Sequence, residues 1–472
     1  MRLVDYVPAI APDDPQKRRQ LWPDILRDLP PDGLTAPPGE TRCLWLSIAV
    51  PADASPGDYA GTVIVSDPDS GVSQSLPVRV CVHQALLPDP TAWQFRVDFW
   101  QGFGHLARQY GVEAGSEAHW QLMEPFLRDL AEHGQSVVQV GRGHFEWRRD
   151  ARGAWEFGFG AFDRYVELCA SVGIDGLIEY LQMFDGRGDT TIAWLDAEGR
   201  YQQQVANPGD PLFDELWLAF GRALAEHCRE KGWWERLYIC PTDEPQDVYG
   251  PPTLDRFRRC VELLRRADPG HRTTVALDSL ASAKELAPCI DRFVFKLRAD
   301  VYDAAWAKAL RESGKWVETY ICCHPERPNS FITSQPIEQR AIGWICWQEG
   351  FQGLLRWSYV NWPTDPFGQP EGDGAYTAGD LFVVYPGDRA PIASTRWERL
   401  RDGFEDYEML RAVERMILKA ASGPERDAAA AALTSALARV AGPAGELTSY
   451  TNDPEVLLTA RRELLEAADK LP

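Results

Sequence analysis

The chain has 472 residues, which at about 100–200 residues per domain is enough for two to four domains and a large buried core. A hydrophobic content of 44% with 25% charged residues excludes a mostly disordered or fibrous chain. Lys+Arg 49 against Asp+Glu 70 gives a formal charge of −21, a surface that repels phosphate backbones and anionic lipid, so neither nucleic-acid nor membrane partners are expected.

The opening residues MRLVDYVPAIAPDDPQKRRQ lack the basic and apolar regions of an export signal, and a cytoplasmic location is the expectation. Residues 1–90 are rich in Pro, Gly and Asp, which punctuate short alternating runs: TRCLWLSIAV, DYAGTVIVSD and SLPVRVCVH. Strands of this length separated by turn residues predict an N-terminal antiparallel β-sandwich, partial because few strands are visible. The prolines of LLPDPTAW mark its end.

Over residues 91–392, apolar strand runs alternate with amphipathic helices. The strands are QFRVDFW, SVVQVG, IDGLIEYL, RLYICPTDE, RTTVALD, RFVFKL, KWVETYI and QGLLRWSYVNW. Eight such alternations predict an α/β fold, a (β/α)8 TIM barrel. No Gly-rich phosphate turn follows the first strand, which disfavours a doubly wound sheet. Two strand-to-helix loops, HFEWRRDARGAWEFGFG and TTIAWLDAEGRYQQQV, each place an acidic Gly-containing turn between alternating runs and read as hairpins over the barrel mouth.

Residues 393–472 turn helical. STRWERLRDGFEDYEMLRAVERMILKA begins with a Ser cap and keeps Trp397, Leu400, Phe404, Tyr407 and Leu410 near one face, and two Ala- and Leu-rich helices follow. The charges of RDGFEDYE read as helix-surface and interdomain pairs. Most of the ten cysteines sit inside apolar runs, so buried, reduced thiols are expected. Cys322, Cys323 and His324 cluster without the paired spacing of a zinc site, and no metal is expected there.

Eighteen Trp in an acidic chain suit a carbohydrate ligand, because sugar rings present flat C–H faces to aromatic rings while their hydroxyls seek carboxylates and amides. The sharpest motif is Pro241-Thr242-Asp243-Glu244-Pro245, directly after the presumed fourth strand. Where that strand ends and the backbone turns before proline, both carboxylates can converge on the mouth. A neutral, partly desolvated Glu244 there can protonate a glycosidic oxygen, and an ionised Asp243 can orient a substrate amide. Adjacent carboxylates fit poorly with the facing pairs of ordinary glycosidases and better with hydrolysis assisted by the sugar's own 2-acetamido oxygen.

FRVDFWQ, SEAHWQLMEPFLRDLAEHGQ, FDRYVELCASVGI, TDEP, QRAIGWICW, GLLRWSYVNW and YPGDRAPIASTRWERLRDGFEDYEML, in that order, resemble the glycoside hydrolase family 123 type enzymes. The resemblance runs from about residue 40 to about residue 420. It implies a β-sandwich, a (β/α)8 barrel and C-terminal helices, with β-N-acetylgalactosaminidase activity. It also implies that Asp243 orients the acetamido group and Glu244 is the general acid/base.

Other strand ends nominate binding residues. Trp357, Tyr359 and Trp362 alternate through RWSYVNW and Tyr320 ends the seventh strand. Each is either core or pocket. In a pocket the Trp rings would wall in the acetamido methyl, and a Tyr hydroxyl could donate to its carbonyl. Trp362, beyond the strand end, is expected to swing over the ligand. Asp98, Glu179, Asp278 and Lys296 at strand ends, and His144 and Glu146 in the first hairpin loop, are candidates for binding sugar hydroxyls. The expected activity is a retaining exo-glycosidase that needs no cofactor and takes a terminal β-linked N-acetylgalactosamine from a glycan. The alternatives are a β-N-acetylglucosaminidase, which differs at one hydroxyl, and a non-catalytic carbohydrate-binding barrel.

Overall fold

The computed structural model describes residues 1–249 and 252–471. The eight apolar runs form the eight strands of one parallel sheet: β1 (Arg96–Phe99), β2 (Val137–Val140), β3 (Leu177–Leu181), β4 (Leu237–Cys240), β5 (Arg272–Leu277), β6 (Arg292–Lys296), β7 (Trp316–Ile321) and β8 (Gly353–Arg356). Their order is β1-β8-β7-β6-β5-β4-β3-β2. A parallel bridge between Val97 and Gln135, with the Ser136 N–H donating to the Val97 carbonyl at 3.0 Å, joins β1 to the segment entering β2 and closes the barrel. Helices lie between successive strands, as in a TIM barrel.

Side chains alternate along a strand, so the inward residues stack in layers. The lower layer is ionic. Arg292 of β6, fully buried, donates to Glu179 of β3 at 2.9 Å, to Asp98 of β1 at 2.8 Å and to Glu318 of β7 at 2.6 Å. Arg96 also pairs with Glu318. Burial opposes charge on all three acids, but Arg292 and Arg96 outweigh it at Glu318 and hold that carboxyl below its ordinary value. Asp98 is pushed up by burial despite Arg292, and Glu179 by burial and the neighbouring Asp98. Two residues further along the strands, Ala276, Val294, Tyr320 and Leu355 make an apolar layer with Cys322, against which Trp100 and Trp357 pack.

The C-terminal helix Thr395–Lys419 is capped by Ser394, whose hydroxyl accepts the Trp397 N–H at 3.1 Å. It crosses helix Pro336–Glu349 where Gly343 meets Gly403, and a Cβ on Gly343 would lie 1.9 Å from the Gly403 carbonyl oxygen. The acids of the RDGFEDYE run are structural. Asp406, buried, takes Arg340 at 2.7 Å, Arg461 at 2.9 Å and the Trp344 indole N–H at 2.9 Å, while Glu408 accepts the Gln94 and Phe95 N–H groups below β1.

The two predicted hairpins are present and merge. Glu146–Arg149 with Trp155–Gly158, and Thr191–Leu195 with Tyr201–Val205, form one four-stranded sheet joined between Leu195 and Arg148.

The N-terminal region differs from the expected sandwich. Arg2–Ile10, Arg19–Asp28 and Cys43–Trp45 form a three-stranded sheet, and Gly57–Asp67 with Val72–Val82 forms a separate, largely exposed hairpin. Residues 1–28, assigned from sequence to a separate unit, are bonded to the C-terminal helix and its approach. Leu26 N–H donates to Ala393 O at 2.9 Å, and buried Asp24 takes Arg396 at 3.1 Å and the Tyr385 hydroxyl at 2.6 Å. The first two strands escape a pattern search because Pro8 and Pro23 break them and the register shifts between Asp5 and Tyr6.

All ten cysteines are free thiols, but Cys43, Cys81 and Cys323 are exposed rather than buried. The first two lie on the sparsely covered N-terminal strands. No helix among the described residues is long and apolar enough to cross a membrane.

The ionic layer gives a test. Replacing the guanidinium by an apolar chain of similar length, Arg292→Met, strands three buried carboxylates and is expected to cost about 3–5 kcal/mol at pH 7.5. Carboxyls raised in the folded state make it relatively more stable as pH falls, so the loss should shrink at pH 5. Urea unfolding at the two pH values measures this, and a variant as stable as wild type at pH 7.5 would remove Arg292 from its assigned role.

Candidate active site

At the C-terminal mouth of the barrel the strand ends enclose a cavity of about 350 Å³. Its walls include Trp100 after β1, Gln182 after β3, Asp243 and Glu244 after β4, Tyr320 of β7 and Trp357 after β8. The loop after β8 adds Tyr376, stacked on Trp357 with centroids 5.7 Å apart, and Asp380.

Two backbone kinks aim the site. Glu244 has φ +41° and Gln182 has φ +67°, the left-handed region that L residues avoid, at a cost on the order of 1–3 kcal/mol each. Hydrogen bonds hold both: the Glu244 N–H donates to Ala276 O at 3.2 Å, and the Gln182 N–H to Cys240 O at 3.0 Å. Of three such non-glycine residues among those described, two therefore line this cavity. Gly186 beside them lets the β3 loop touch β4's continuation, since a Cβ there would sit 2.6 Å from Thr242 Oγ1.

The two carboxylates have different surroundings. Glu244 Oε1 accepts the Tyr320 hydroxyl and lies 3.2 Å from Lys296 Nζ, and its Oε2 lies 3.4 Å from Arg187. These contacts suit a carboxylate anion. Asp243 is pushed up to about 7, by burial first and by the Glu244 charge second, against the pull of Arg187 and Lys296. Burial thus favours the neutral form of Asp243, where the sequence led us to expect an ionised carboxylate. Lys296 stays charged although buried, because Glu244 and Asp278, the latter at 2.9 Å, outweigh the desolvation that opposes its charge.

The structure gathers Asp243, Glu244, Tyr320 and Trp357 in one cavity and sets Lys296 behind Glu244. Asp278 sits one step back as the partner of Lys296 and of Arg298, at 3.3 Å. Asp98 and Glu179 are not hydroxyl binders: both lie in the ionic layer, committed to Arg292. Tyr359 is fully buried and donates its hydroxyl to Asp129 at 2.5 Å. Trp362 is also core, its indole N–H donating to Val384 O at 2.7 Å and its ring packed on Phe126. The alternation assumed for RWSYVNW stops because β8 ends at Arg356 and the chain turns away after Trp357. His144 and Glu146 line a second cavity of about 490 Å³ under the hairpin sheet, with no lining residue in common with the first. His144 packs against Tyr165 with the rings tilted, and Glu146 pairs with Arg148.

Sequence reasoning missed Trp100, Gln182, Arg187, Tyr376 and Asp380. Trp100 Nε1 is buried and has no acceptor among the described residues. Asp380 is occupied, taking Arg356 at 2.8 Å and the Trp357 indole N–H at 3.1 Å. Trp100 follows β1 directly and was legible by the same strand-end rule that found Tyr320. Arg187 and Tyr376 lie in loops without a pattern.

Comparison with known proteins gives a consistent frame. A family model described as the catalytic domain of glycoside hydrolase 123 matches residues 100–413. Among solved structures, a family 123 glycoside hydrolase from Clostridium perfringens, studied for glycolipid glycan hydrolysis, superposes with a TM-score of 0.77 at 20% identity, covering 99% of this chain and 85% of that one. A family 39 glycoside hydrolase from Bacteroides cellulosilyticus reaches a TM-score of only 0.38 at 11% identity, over 85% of this chain and 77% of its own. None of the curated proteins compared with the chain matches it. The family match spans most of the chain and barrel strands β2 to β8, including the segment that carries Asp243 and Glu244, and the chain belongs to the glycoside hydrolase 123 family.

Proposed function

We propose that the protein is a retaining exo-glycosidase that releases terminal β-linked N-acetylgalactosamine, with the substrate's 2-acetamido oxygen as nucleophile and no cofactor. The observation that carries this reading is the placement of two consecutive carboxylates, Asp243 and Glu244, in one aromatic-walled cavity. Asp380, the buried acid of the opposite wall, is tied to Arg356 and Trp357 and is a poor nucleophile. The sugar's amide fills that role.

Asp243 and Glu244 share one proton, because two neighbouring, partly desolvated carboxylates resist a double charge. Before substrate binds it rests on Asp243. When the acetamido N–H of the substrate donates to Asp243, that carboxyl is better ionised and the proton passes to Glu244. Glu244 then protonates the departing glycosidic oxygen while the acetamido oxygen closes on C1, forming an oxazolinium ion stabilised by the Asp243 charge. Water, deprotonated by Glu244, opens the ring with net retention. Tyr320 and Lys296 steady Glu244 in its anionic half-cycle, and Trp357 with Trp100 walls in the sugar face and methyl group.

A panel of nitrophenyl β-glycosides tests the reading. The N-acetyl-β-galactosaminide should be cleaved fastest, with the N-acetyl-β-glucosaminide second and the plain β-galactoside nearly inert. Glu244→Gln and Asp243→Asn should each lower kcat by about 100-fold or more with folding little changed. Rapid cleavage of the plain galactoside, or near wild-type rates in both variants, would refute it.

The pH dependence follows from the shared proton. It leaves Asp243 of the free protein at about 7, so kcat/KM should fall as pH rises through that value. The same raised carboxyl makes the folded state lose stability between about pH 4 and pH 7, because the folded chain holds this proton more tightly than the unfolded one. Asp243→Asn, which removes the charge, should therefore raise Tm at pH 8 and leave it unchanged near pH 4. Equal Tm differences at both pH values would show that Asp243 does not titrate as assigned.

A further inference from the structure

Cys322 and Cys323 play no part in the chemistry above, yet both line the catalytic cavity. Consecutive side chains on an extended strand point to opposite faces. Here the chain turns after β7 at Ile321, and the two sulfurs lie 3.5 Å apart. The turn is held on both sides. The Cys322 N–H donates to His324 O at 3.1 Å, and the buried Asn329 side chain donates to Cys322 O at 2.8 Å and Pro325 O at 2.6 Å. Cys322 is buried in the apolar layer with Tyr320 and Leu355, whereas Cys323 is exposed.

We infer that Cys322 and Cys323 are an oxidisable dithiol in the cavity wall, which a small peroxide converts to a vicinal disulfide that switches the site off reversibly. The exposed Cys323 is the attacking thiol. Its thiolate displaces hydroxide from hydrogen peroxide, forming an S–O bond and breaking the O–O bond, so that sulfur is oxidised to a sulfenic acid and the peroxide is reduced. The Cys322 thiol then attacks that sulfur. An S–S bond forms, the S–O bond breaks, and the hydroxyl leaves as water with the Cys322 proton. The local charges favour this order: the Cys322 hydrogen bond to Cys323, supported by Lys296, pulls the Cys323 thiol down, and the same contact with burial pushes the Cys322 thiol up.

Closing the ring draws the sulfurs together by more than an ångström, since a disulfide bond is about 2.05 Å long. Cys322 follows Tyr320 by two residues and packs in one layer with it, so the wall that steadies Glu244 shifts. The loss of activity rests on the glycosidase reading, while the oxidation does not.

The two are separated by experiment. The intact protein is treated with hydrogen peroxide, alkylated under denaturing conditions and mapped by mass spectrometry, with turnover measured in parallel. Expected are a peptide carrying an internal Cys322–Cys323 disulfide, loss of two hydrogens in the intact mass, and trapping of a dimedone adduct on Cys323 in Cys322→Ser. At neutral pH Cys323 should react with iodoacetamide about tenfold faster than exposed Cys43 or Cys81. Activity should fall by about 10- to 100-fold and return with dithiothreitol, since misplacing a site by about 1 Å costs that much. Oxidation that stops at a sulfinic acid on Cys323 with Cys322 free overturns the assignment, as does a pair that stays reduced while Cys43 and Cys81 are modified. A disulfide that forms without changing turnover overturns the switch. If no glycoside is turned over at all, the mass data alone decide the oxidation.

Discussion

Arg292 anchors the inside of this barrel. A guanidinium buried with Asp98, Glu179 and Glu318 joins β6 to β1, β3 and β7 across the interior, and it holds only while each partner keeps its place. One consequence reaches the mouth. Lys296 is four residues along the same strand and therefore on the same face as Arg292, and the pinned strand delivers its ammonium to Glu244. Glu318 likewise leads to Tyr320 on β7, whose hydroxyl meets the same carboxylate. The ionic layer thus sets the register from which two positioning groups rise, Tyr320 within the apolar layer and Lys296 two residues beyond Val294 of that layer.

Above that layer the site is arranged by inequality. Glu244 has Lys296, Arg187 and Tyr320 around it, while Asp243 faces burial and a like charge. In the proposed reaction such a pair holds one proton and moves it between its members when a polar ligand changes that balance. The cost is backbone strain at Glu244 and Gln182, offset by hydrogen bonds to Ala276 and Cys240.

The barrel was legible because its eight strands are continuous apolar runs closed by turn residues, a pattern that burial on both faces imposes. The Asp243-Glu244 pair was legible because it directly follows one of those runs. Depth was not. Asp98 and Glu179 looked like mouth residues, yet each lies within its strand, one layer below, while Lys296 and Tyr320 reach the top. Trp362 and Tyr359 misled for a related reason: an alternating aromatic pattern has meaning only while the strand continues, and β8 stops at Arg356. The N-terminal strands were hidden by prolines and a register shift, and the loop-borne Arg187 depends on tertiary approach at Gly186 that no local pattern encodes.

The most direct measurement varies the proposed nucleophile. Nitrophenyl N-acetyl-β-galactosaminides carrying zero, one, two or three fluorines on the acetyl methyl differ little in shape while their amide oxygens become progressively less nucleophilic. If the amide attacks C1, kcat/KM should fall steeply and linearly on a logarithmic scale with each fluorine. A flat series would mean that a protein carboxylate or water attacks instead, and the roles given to Asp243 and Glu244 would be wrong.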